Sequence, residues 1–332
     1  MWLQILFVVI GIVLVIWGAD RMTEGAVAIA ERLKVSQLVI GLTVVAIGTS
    51  MPEFCVSLVS ALKDTADLAV GNVVGSNIFN STLIVGITAM VAPMTILKST
   101  VRLDIPFALL ASVLLVAFCY DGELSRLDAV ILFAFFLVFM YIVLKAARKK
   151  QTTVGKGSSS LSENNSVTPS ESGAISISDE HRPLLIWKAV LFIIIGLACL
   201  IGGSELFVGG ATEIAKALKV SDAVIGLTVV AMGTSLPELA TSVVAAKKGN
   251  SGIAIGNVLG SSVFNILLIL GMTGIISPMH IQGITLIDLS MLIVSMILLL
   301  LFSFTKYTIA RWEGAVLTTL FAGYLTWLIM NV

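Results

Sequence analysis

Charged side chains are scarce in this sequence. Asp, Glu, Lys and Arg make up 12% of its 332 residues, about half the share in a soluble domain, whereas 58% are hydrophobic and the mean hydropathy is +1.06. This composition leaves too little polar surface to cover a water-soluble globule. Several apolar runs approach the ~20 residues that a helix needs to cross a bilayer. The composition therefore predicts an all-α polytopic membrane protein whose surroundings are the lipid bilayer.

Other residue types are also rare, and each shortage excludes a class of function. Acidic and basic residues balance at 20 each, so the chain lacks the basic surface of a nucleic-acid-binding protein. The three cysteines lie inside apolar runs, which argues against a disulfide framework. Two histidines, His181 and His280, are too few for a His-rich zinc site or for most Ser–His catalytic pairs. We therefore expect a protein that is not an enzyme and needs no cofactor.

One segment interrupts the apolar pattern. Residues 151–181 are rich in Ser, Asn, Gly and acidic side chains and contain almost no large apolar ones, which is typical of a flexible linker. We place the boundaries around it, with a first repeat at residues 1–147, a linker at 148–185 and a second repeat at 186–332.

The two halves carry the same motifs in the same order. The sequence GLTVVAIGTSMPE at 41–53 matches GLTVVAMGTSLPE at 226–238, and GNVVGSNIFN at 71–80 matches GNVLGSSVFN at 256–265. The spacing between matched residues is constant, which indicates an internal duplication. Each half also holds five apolar stretches, so the predicted spans lie near residues 3–22, 38–62, 67–91, 103–120, 127–147, 186–208, 223–247, 252–276, 286–304 and 311–331.

An odd number of spans in each half predicts that the second repeat enters the membrane in the opposite orientation, as in many secondary transporters. If the N-terminus is outside, most Lys and Arg fall in cytoplasmic loops, and the outer loops hold only Lys63, Arg126, Lys216 and Lys219. This distribution follows the positive-inside rule. We therefore expect both termini outside and the linker in the cytoplasm.

Glu53 and Glu238 each lie in the middle of a predicted span. A carboxylate at that depth costs about 2.5–3.5 kcal/mol, so its presence in both repeats indicates a function. The proline before each glutamate has no N–H and frees the carbonyl of Gly48 or Gly233. On a continuous helix, the Thr-Ser pair of each motif would share a face with its own glutamate. Carbonyl, hydroxyl and carboxylate oxygens are hard ligands, which suit Ca²⁺ and Na⁺.

The second motif adds a polar stripe to a partner helix in each repeat. Its members recur at every fourth position and so share one helix face: Asn72, Ser76 and Asn80, and Asn257, Ser261 and Asn265. Two such helices per repeat, crossing near the midplane, would bring both carboxylates together with amides and hydroxyls. The charge of two carboxylates equals that of one Ca²⁺.

Three assignments stay open at this point. The Thr and Ser hydroxyls of the first motif bind either the ion or their own backbone. Asn72 and Asn257 form either packing bonds between helices or ligand contacts. Asp20 and Glu205, which correspond across the repeat near span ends, are either interfacial anchors or part of an ion vestibule.

Together, the two motif pairs, the duplicated halves and the linker resemble the cation/calcium exchanger superfamily, especially its prokaryotic sodium/calcium exchangers. The resemblance implies ten transmembrane helices in two inverted five-helix repeats, located in the plasma (inner) membrane. It implies Glu53 and Glu238 as the carboxylates shared by Ca²⁺ and Na⁺. The remaining implied ligands are oxygens of Thr49, Ser50, Thr234, Ser235, Ser76, Ser261, Asn80 and Asn265 and the carbonyls of Ala46 and Ala231.

We therefore expect a secondary-active antiporter that exchanges Na⁺ for Ca²⁺ by alternating access, with both ions competing for the two glutamates. A Ca²⁺/H⁺ antiporter is the main alternative, because buried glutamates can bind protons. A K⁺-dependent exchanger is disfavoured, since Asn80 and Asn265 stand where some such relatives carry Asp. A passive cation channel is disfavoured by the ligand-rich site. No protein partner is predicted.

Overall fold

We describe the protein from a computed structural model, which covers residues 2–63, 65–157, 185–218, 231–281 and 283–330, with side chains omitted at 148–157 and 231. In the first half the helices are α1 Trp2–Leu33, α2 Gln37–Thr49, α3 Met51–Leu62, α4 Ala66–Val91, α5 Thr100–Phe118 and α6 Arg126–Gly157. In the second half they are α7 Ile186–Ala217, α8 Ala231–Thr234, α9 Leu236–Lys247, α10 Ser251–Ile276, α11 Leu286–Phe304 and α12 Arg311–Met330.

The helices are long and apolar enough to cross a bilayer. Eight of them qualify by length and composition, and α2 with α3, bent by 47° at their junction, forms a ninth candidate among the described residues. Helices suit this environment because they satisfy their backbone hydrogen bonds internally. The predicted span at 223–247 begins outside the described residues, so only its part from Ala231 onward is seen. The expectation of a mostly helical membrane protein is confirmed.

The predicted spans at 3–22 and 186–208 are shorter than the helices that contain them. The first helix, α1, continues to Leu33, and α7 continues to Ala217. Where the extension of α1 begins, Glu24 pairs with Arg21 at 2.9 Å, while Ala26 and Ala30 further along are buried. Charged residues thus end the apolar run without ending the helix, because one face still packs against protein. Similarly, α6 runs to Gly157, past the predicted end of the repeat at residue 147.

Two small sheets, which the sequence analysis did not predict, join loops of this mostly helical chain. The strands are β1 Met94–Thr95, β2 Glu123–Leu124, β3 Met279–His280 and β4 Thr308–Ile309. Antiparallel pairing joins β1 to β4 and β2 to β3, so each sheet links a loop of one half to a loop of the other. Backbone groups in loops also need partners, and apolar periodicity in helices carries no signal for such short pairings.

The most deeply buried helices are α4 and α10. In their most apolar windows 78% and 94% of residues are buried, compared with 22% for α1, α6, α7 and α12. These two helices carry the polar stripes, which therefore lie at the centre of the protein. The helices α1, α6, α7 and α12 present most of their apolar side chains outward, as lipid-facing helices do.

A seam of glycines joins α1 to α7. Gly11, Gly18 and Gly25 recur at heptad spacing along α1, and their counterparts Gly196, Gly203 and Gly210 do so along α7. A Cβ on Gly18 would stand 2.7 Å from the carbonyl oxygen of Gly196. The two backbones therefore approach as closely as only glycine allows, which is a common means of association between membrane helices.

Candidate functional site

Both glutamate motifs interrupt their helices at a serine. Ser50 separates α2 from α3 with φ −83° and ψ 6°, and Ser235 separates α8 from α9 with φ −92° and ψ 8°. The proline that follows stands in the first turn of the new helix, where its missing N–H does no harm. Glu53 and Glu238 consequently lie in the first turns of α3 and α9, where the helix dipole favours negative charge.

The two carboxylates are buried and bound by serines of the opposite half. Glu53 is 0% exposed and Glu238 is 1% exposed. Ser50 Oγ donates to Glu238 Oε1 at 3.0 Å, and Ser235 Oγ donates to Glu53 Oε1 at 2.9 Å. Each serine was expected to share a face with its own glutamate, but the break in the helix removes that continuity. The halves are thus joined through their glutamates.

The second oxygen of each carboxylate has no such partner. Within the described part of the chain, Glu53 Oε2 and Glu238 Oε2 are buried and accept no hydrogen bond. An unpaired carboxylate oxygen away from water is costly unless a cation or donor compensates it. The two oxygens therefore mark the place where this centre can take up positive charge.

Hydroxyls of the polar stripes border the same carboxylates. Ser261 Oγ donates to Glu238 Oε1 at 3.4 Å, and Ser76 Oγ lies 3.3 Å from Ser235 Oγ. Ser261 thus contacts its glutamate directly, whereas Ser76 is connected to Glu53 through Ser235. Four hydroxyls and two carboxylates form one oxygen-rich cluster of hard ligands.

Asn80 and Asn265 lie in π-helical turns of α4 and α10, at Asn80–Ile84 and Phe264–Leu270. Each is 1% exposed. Among the described residues, Asn80 Oδ1 and both amide atoms of Asn265 have no hydrogen-bond partner. π-Helical turns are frequent at functional sites. Their buried amides remain available to a ligand, although no hydrogen bond to either glutamate is present in the described part of the chain.

The hydroxyl of Thr49 bonds in part to the backbone of its own helix, which was one of the two alternatives left open for it. Its Oγ1 lies 3.1 Å from the carbonyl oxygen of Val45 and 3.1 Å from Asn257 Oδ1. The carbonyl of Ala46 accepts the Ser50 N–H at 3.0 Å. In the second half, Thr234 is the last residue of α8 and Ala231 is its first described residue. Thr49, Thr234, Ala46 and Ala231 as ion ligands thus stay predictions.

The geometry favours packing bonds between helices for Asn72 and Asn257. Asn72 Nδ2 donates to the Glu53 carbonyl at 3.2 Å and to Ser57 Oγ at 3.0 Å. Asn257 Nδ2 donates to the Glu238 carbonyl at 3.2 Å and to Ser242 Oγ at 3.0 Å. Sequence reasoning missed both serines. They follow their glutamate by one helical turn, which was the available signal.

The carbonyl that Pro237 was expected to free is taken by a third helix. Ser204 Oγ, on α7, donates to the Gly233 carbonyl. The counterpart of Ser204 in the first half is Ala19, which has no hydroxyl. The two halves therefore differ at this point, and the motifs alone carried no sign of it.

Asp20 forms ion pairs at a partly exposed position. Its carboxylate lies 2.6 Å from Arg21 and 2.5 Å from Lys248, and its side chain is 31% exposed. These ion pairs favour a role for Asp20 as an interfacial anchor over one in an ion vestibule. Its counterpart Glu205 is exposed.

The fold and this centre define a class of protein: a polytopic helical membrane protein with a buried, oxygen-rich carboxylate pair at the junction of two similar halves. A family model described as sodium/calcium exchanger protein matches residues 3–145 and 188–330, one match in each half. The chain belongs to the sodium/calcium exchanger family, as its motifs indicated.

Individual relatives agree in sequence and in fold. The sodium/calcium exchanger MaX1 of Methanosarcina acetivorans is 33% identical over 96% of this chain and 97% of its own length. The inner membrane protein YrbG of Escherichia coli is 36% identical over 97% of this chain and 94% of its own length. The solved structure of the sodium-calcium exchanger NCX_Mj matches with a TM-score of 0.80 and 30% identity over 98% of both chains.

Proposed function

We propose that the protein is a Na⁺/Ca²⁺ antiporter that works by alternating access. The observation that carries the proposal is the reciprocal pair of contacts between Ser50 and Glu238 and between Ser235 and Glu53. These contacts bring the only two glutamates of the duplicated motifs into one buried cluster. Family membership and the named exchangers among the relatives support the same function.

Competition between the ions follows from the chemistry of the cluster. Two carboxylates match the charge of one Ca²⁺, and Na⁺ uses the same type of hard oxygen ligand. Because both ions need Glu53 and Glu238, loading one displaces the other. The serines now bonded to the carboxylates can turn their oxygens toward an ion, and no covalent step is needed.

We further propose ten membrane spans in two inverted five-helix repeats, with both termini outside and residues 148–185 in the cytoplasm. The membrane is the plasma (inner) membrane of a prokaryote. The odd number of predicted spans in each half and the distribution of Lys and Arg support this topology. The reciprocal pairing of β1 with β4 and β2 with β3 is the pattern that a twofold relation between the halves would produce.

Proteoliposomes loaded with Na⁺ test the exchange directly. We expect ⁴⁵Ca²⁺ uptake when an outward Na⁺ gradient is imposed, and none with choline in place of Na⁺. A proton gradient should not replace Na⁺. Uptake driven by a proton gradient alone would establish the Ca²⁺/H⁺ alternative, and uptake without any counter-ion would indicate a channel. Hydrolytic activity that disappears in Ser50→Ala would indicate an enzyme.

Potassium should not be needed for this exchange. Asn80 and Asn265 are neutral, so the cluster has no third carboxylate to balance a K⁺ ion transported with Ca²⁺. We expect Na⁺-driven ⁴⁵Ca²⁺ flux to change less than twofold when K⁺ is removed from both sides of the vesicle. An absolute requirement for K⁺ would contradict the charge argument.

A further inference from the structure

Asn72 and Asn257 each join a glutamate-bearing helix to the helix that carries the polar stripe. In the first half the bonds connect α4 to α3, and in the second half they connect α10 to α9. The paired distances are the same in both halves, 3.2 Å to the glutamate carbonyl and 3.0 Å to the serine hydroxyl. Such agreement between the repeats indicates a shared requirement.

The bonds of these amides favour a role in packing. An amide coordinates a cation through its oxygen, and the two N–H donors of Asn72 and of Asn257, both used in these bonds, fix how each amide is oriented. In Asn257 the oxygen is engaged as well, because Oδ1 lies 3.1 Å from Thr49 Oγ1 of the other half. Asn257 is also 0% exposed. A cation could reach this amide only by breaking contacts within the protein.

The position of each bond determines what it controls. Ser76 and Asn80 follow Asn72 at every fourth residue of α4, and Ser261 and Asn265 follow Asn257 in the same way. A bond at the first residue of each stripe therefore sets the distance between the glutamate and the serine hydroxyl and asparagine amide that follow in that stripe. We call the bonds from Asn72 to Glu53 and Ser57, and from Asn257 to Glu238 and Ser242, the amide clamps.

We propose that Asn72 and Asn257 are positioning residues that hold each glutamate at the distance from its polar stripe that Ca²⁺ binding requires. The proposal rests on the proposed exchange function. Ca²⁺ takes six to eight oxygen ligands at about 2.3–2.6 Å, so a small displacement of one helix removes several contacts at once. The clamp in the second half also holds Thr49, so its removal affects both halves.

Calcium titration of the purified protein by isothermal calorimetry, in Na⁺-free buffer, tests the clamps. We expect Asn72→Ala to weaken Ca²⁺ binding at least tenfold and Asn257→Ala to weaken it further, while both retain cooperative unfolding. Asn72→Asp keeps the shape and the oxygen but loses the donor, so it should also bind Ca²⁺ more weakly. Ser57→Ala removes one of the two bonds and should have a smaller effect. The double variant Asn72→Ala with Ser57→Ala should be less than additive.

Ser262→Ala is the matched control, because this buried hydroxyl on α10 bonds to the Val258 carbonyl of its own helix at 2.9 Å. It should leave Ca²⁺ affinity unchanged. If Asn72→Ala does not fold, Asn72→Asp and Ser57→Ala provide the same comparison.

Two results would contradict this role of the amide clamps. The first is Ca²⁺ affinity within twofold of wild type in Asn72→Ala and Asn257→Ala; a lower melting temperature in the same variants would then show that the bonds are purely structural. The second is tighter binding in Asn72→Asp, which would make the side chain a ligand. Wild-type protein that binds no Ca²⁺ would instead contradict the proposed function, and the clamps' role in ion binding with it.

Discussion

Glu53→Gln and Glu238→Gln should each reduce Na⁺-driven ⁴⁵Ca²⁺ flux to the background of empty proteoliposomes. Glutamine keeps the size and one oxygen of the side chain but halves the negative charge of the cluster. At an effective dielectric constant of ~20, a carboxylate about 4 Å from an ion contributes roughly 4 kcal/mol for each unit of ion charge. A divalent ion loses twice as much as Na⁺, and tenfold in affinity corresponds to only about 1.4 kcal/mol.

Glu313→Gln provides the control for burial alone. Glu313 is 0% exposed like Glu53 and, like it, has one carboxylate oxygen that accepts a hydrogen bond, here from the N–H of Ala310 at 2.7 Å, and one that is buried and unpaired among the described residues. It lies outside the duplicated motifs and their serine contacts. We expect Glu313→Gln to retain most of the flux. The flux of Thr49→Ala and Thr234→Ala should lie between that of Glu313→Gln and that of the two motif variants, because these changes remove neutral oxygens.

The folded state of each variant is checked by its melting temperature in detergent. Flux near the wild-type level in either Glu53→Gln or Glu238→Gln, with the protein correctly inserted, would rule out a site shared by two carboxylates.

Gly203→Ala should lower the melting temperature clearly, whereas Gly202→Ala should not. A Cβ on Gly203 would lie 2.8 Å from the Gly11 carbonyl oxygen and 2.8 Å from Leu14 Cβ, which forces α1 and α7 apart. Among the described residues outside the backbone of its own helix, no atom lies within 4 Å of the same group on Gly202. Overpacking of this kind destabilises by about 1–3 kcal/mol, and at an open position alanine is the better helix former. Thermal unfolding in detergent, followed by tryptophan fluorescence, measures the difference.

The neighbouring pair Gly210 and Gly209 repeats the comparison. A Cβ on Gly210 would lie 2.7 Å from the carbonyl oxygen of Gln4, whereas one on Gly209 would meet no atom of the described residues within 4 Å beyond its own helix backbone. Equal melting temperatures within both pairs would mean that α1 and α7 do not pack as described.

Much of the architecture could be predicted from the sequence because membrane helices carry strong local signals. Apolar runs of the right length located α4, α10, α11 and α12 within about two residues. The ends of α1 and α7 were misjudged, because hydropathy reports where lipid contact ends and a helix can continue beyond that point. The glycine seam was not predicted. The heptad spacing of its glycines is present in the sequence, but only the structure shows which helix they pack against.

By itself the sequence determined the membrane class, the duplication, the family and the two glutamates beside helix-breaking prolines. These properties are local in the chain or are literal repeats of it. Only the tertiary structure decided that Ser50 bonds to Glu238 and Ser235 to Glu53, that Asn72 and Asn257 bind protein carbonyls, and that Ser204 occupies the carbonyl of Gly233. The physical reason is that a hydrogen bond depends on a few tenths of an ångström and on direction, and those are set by how the broken helices of the two halves pack together.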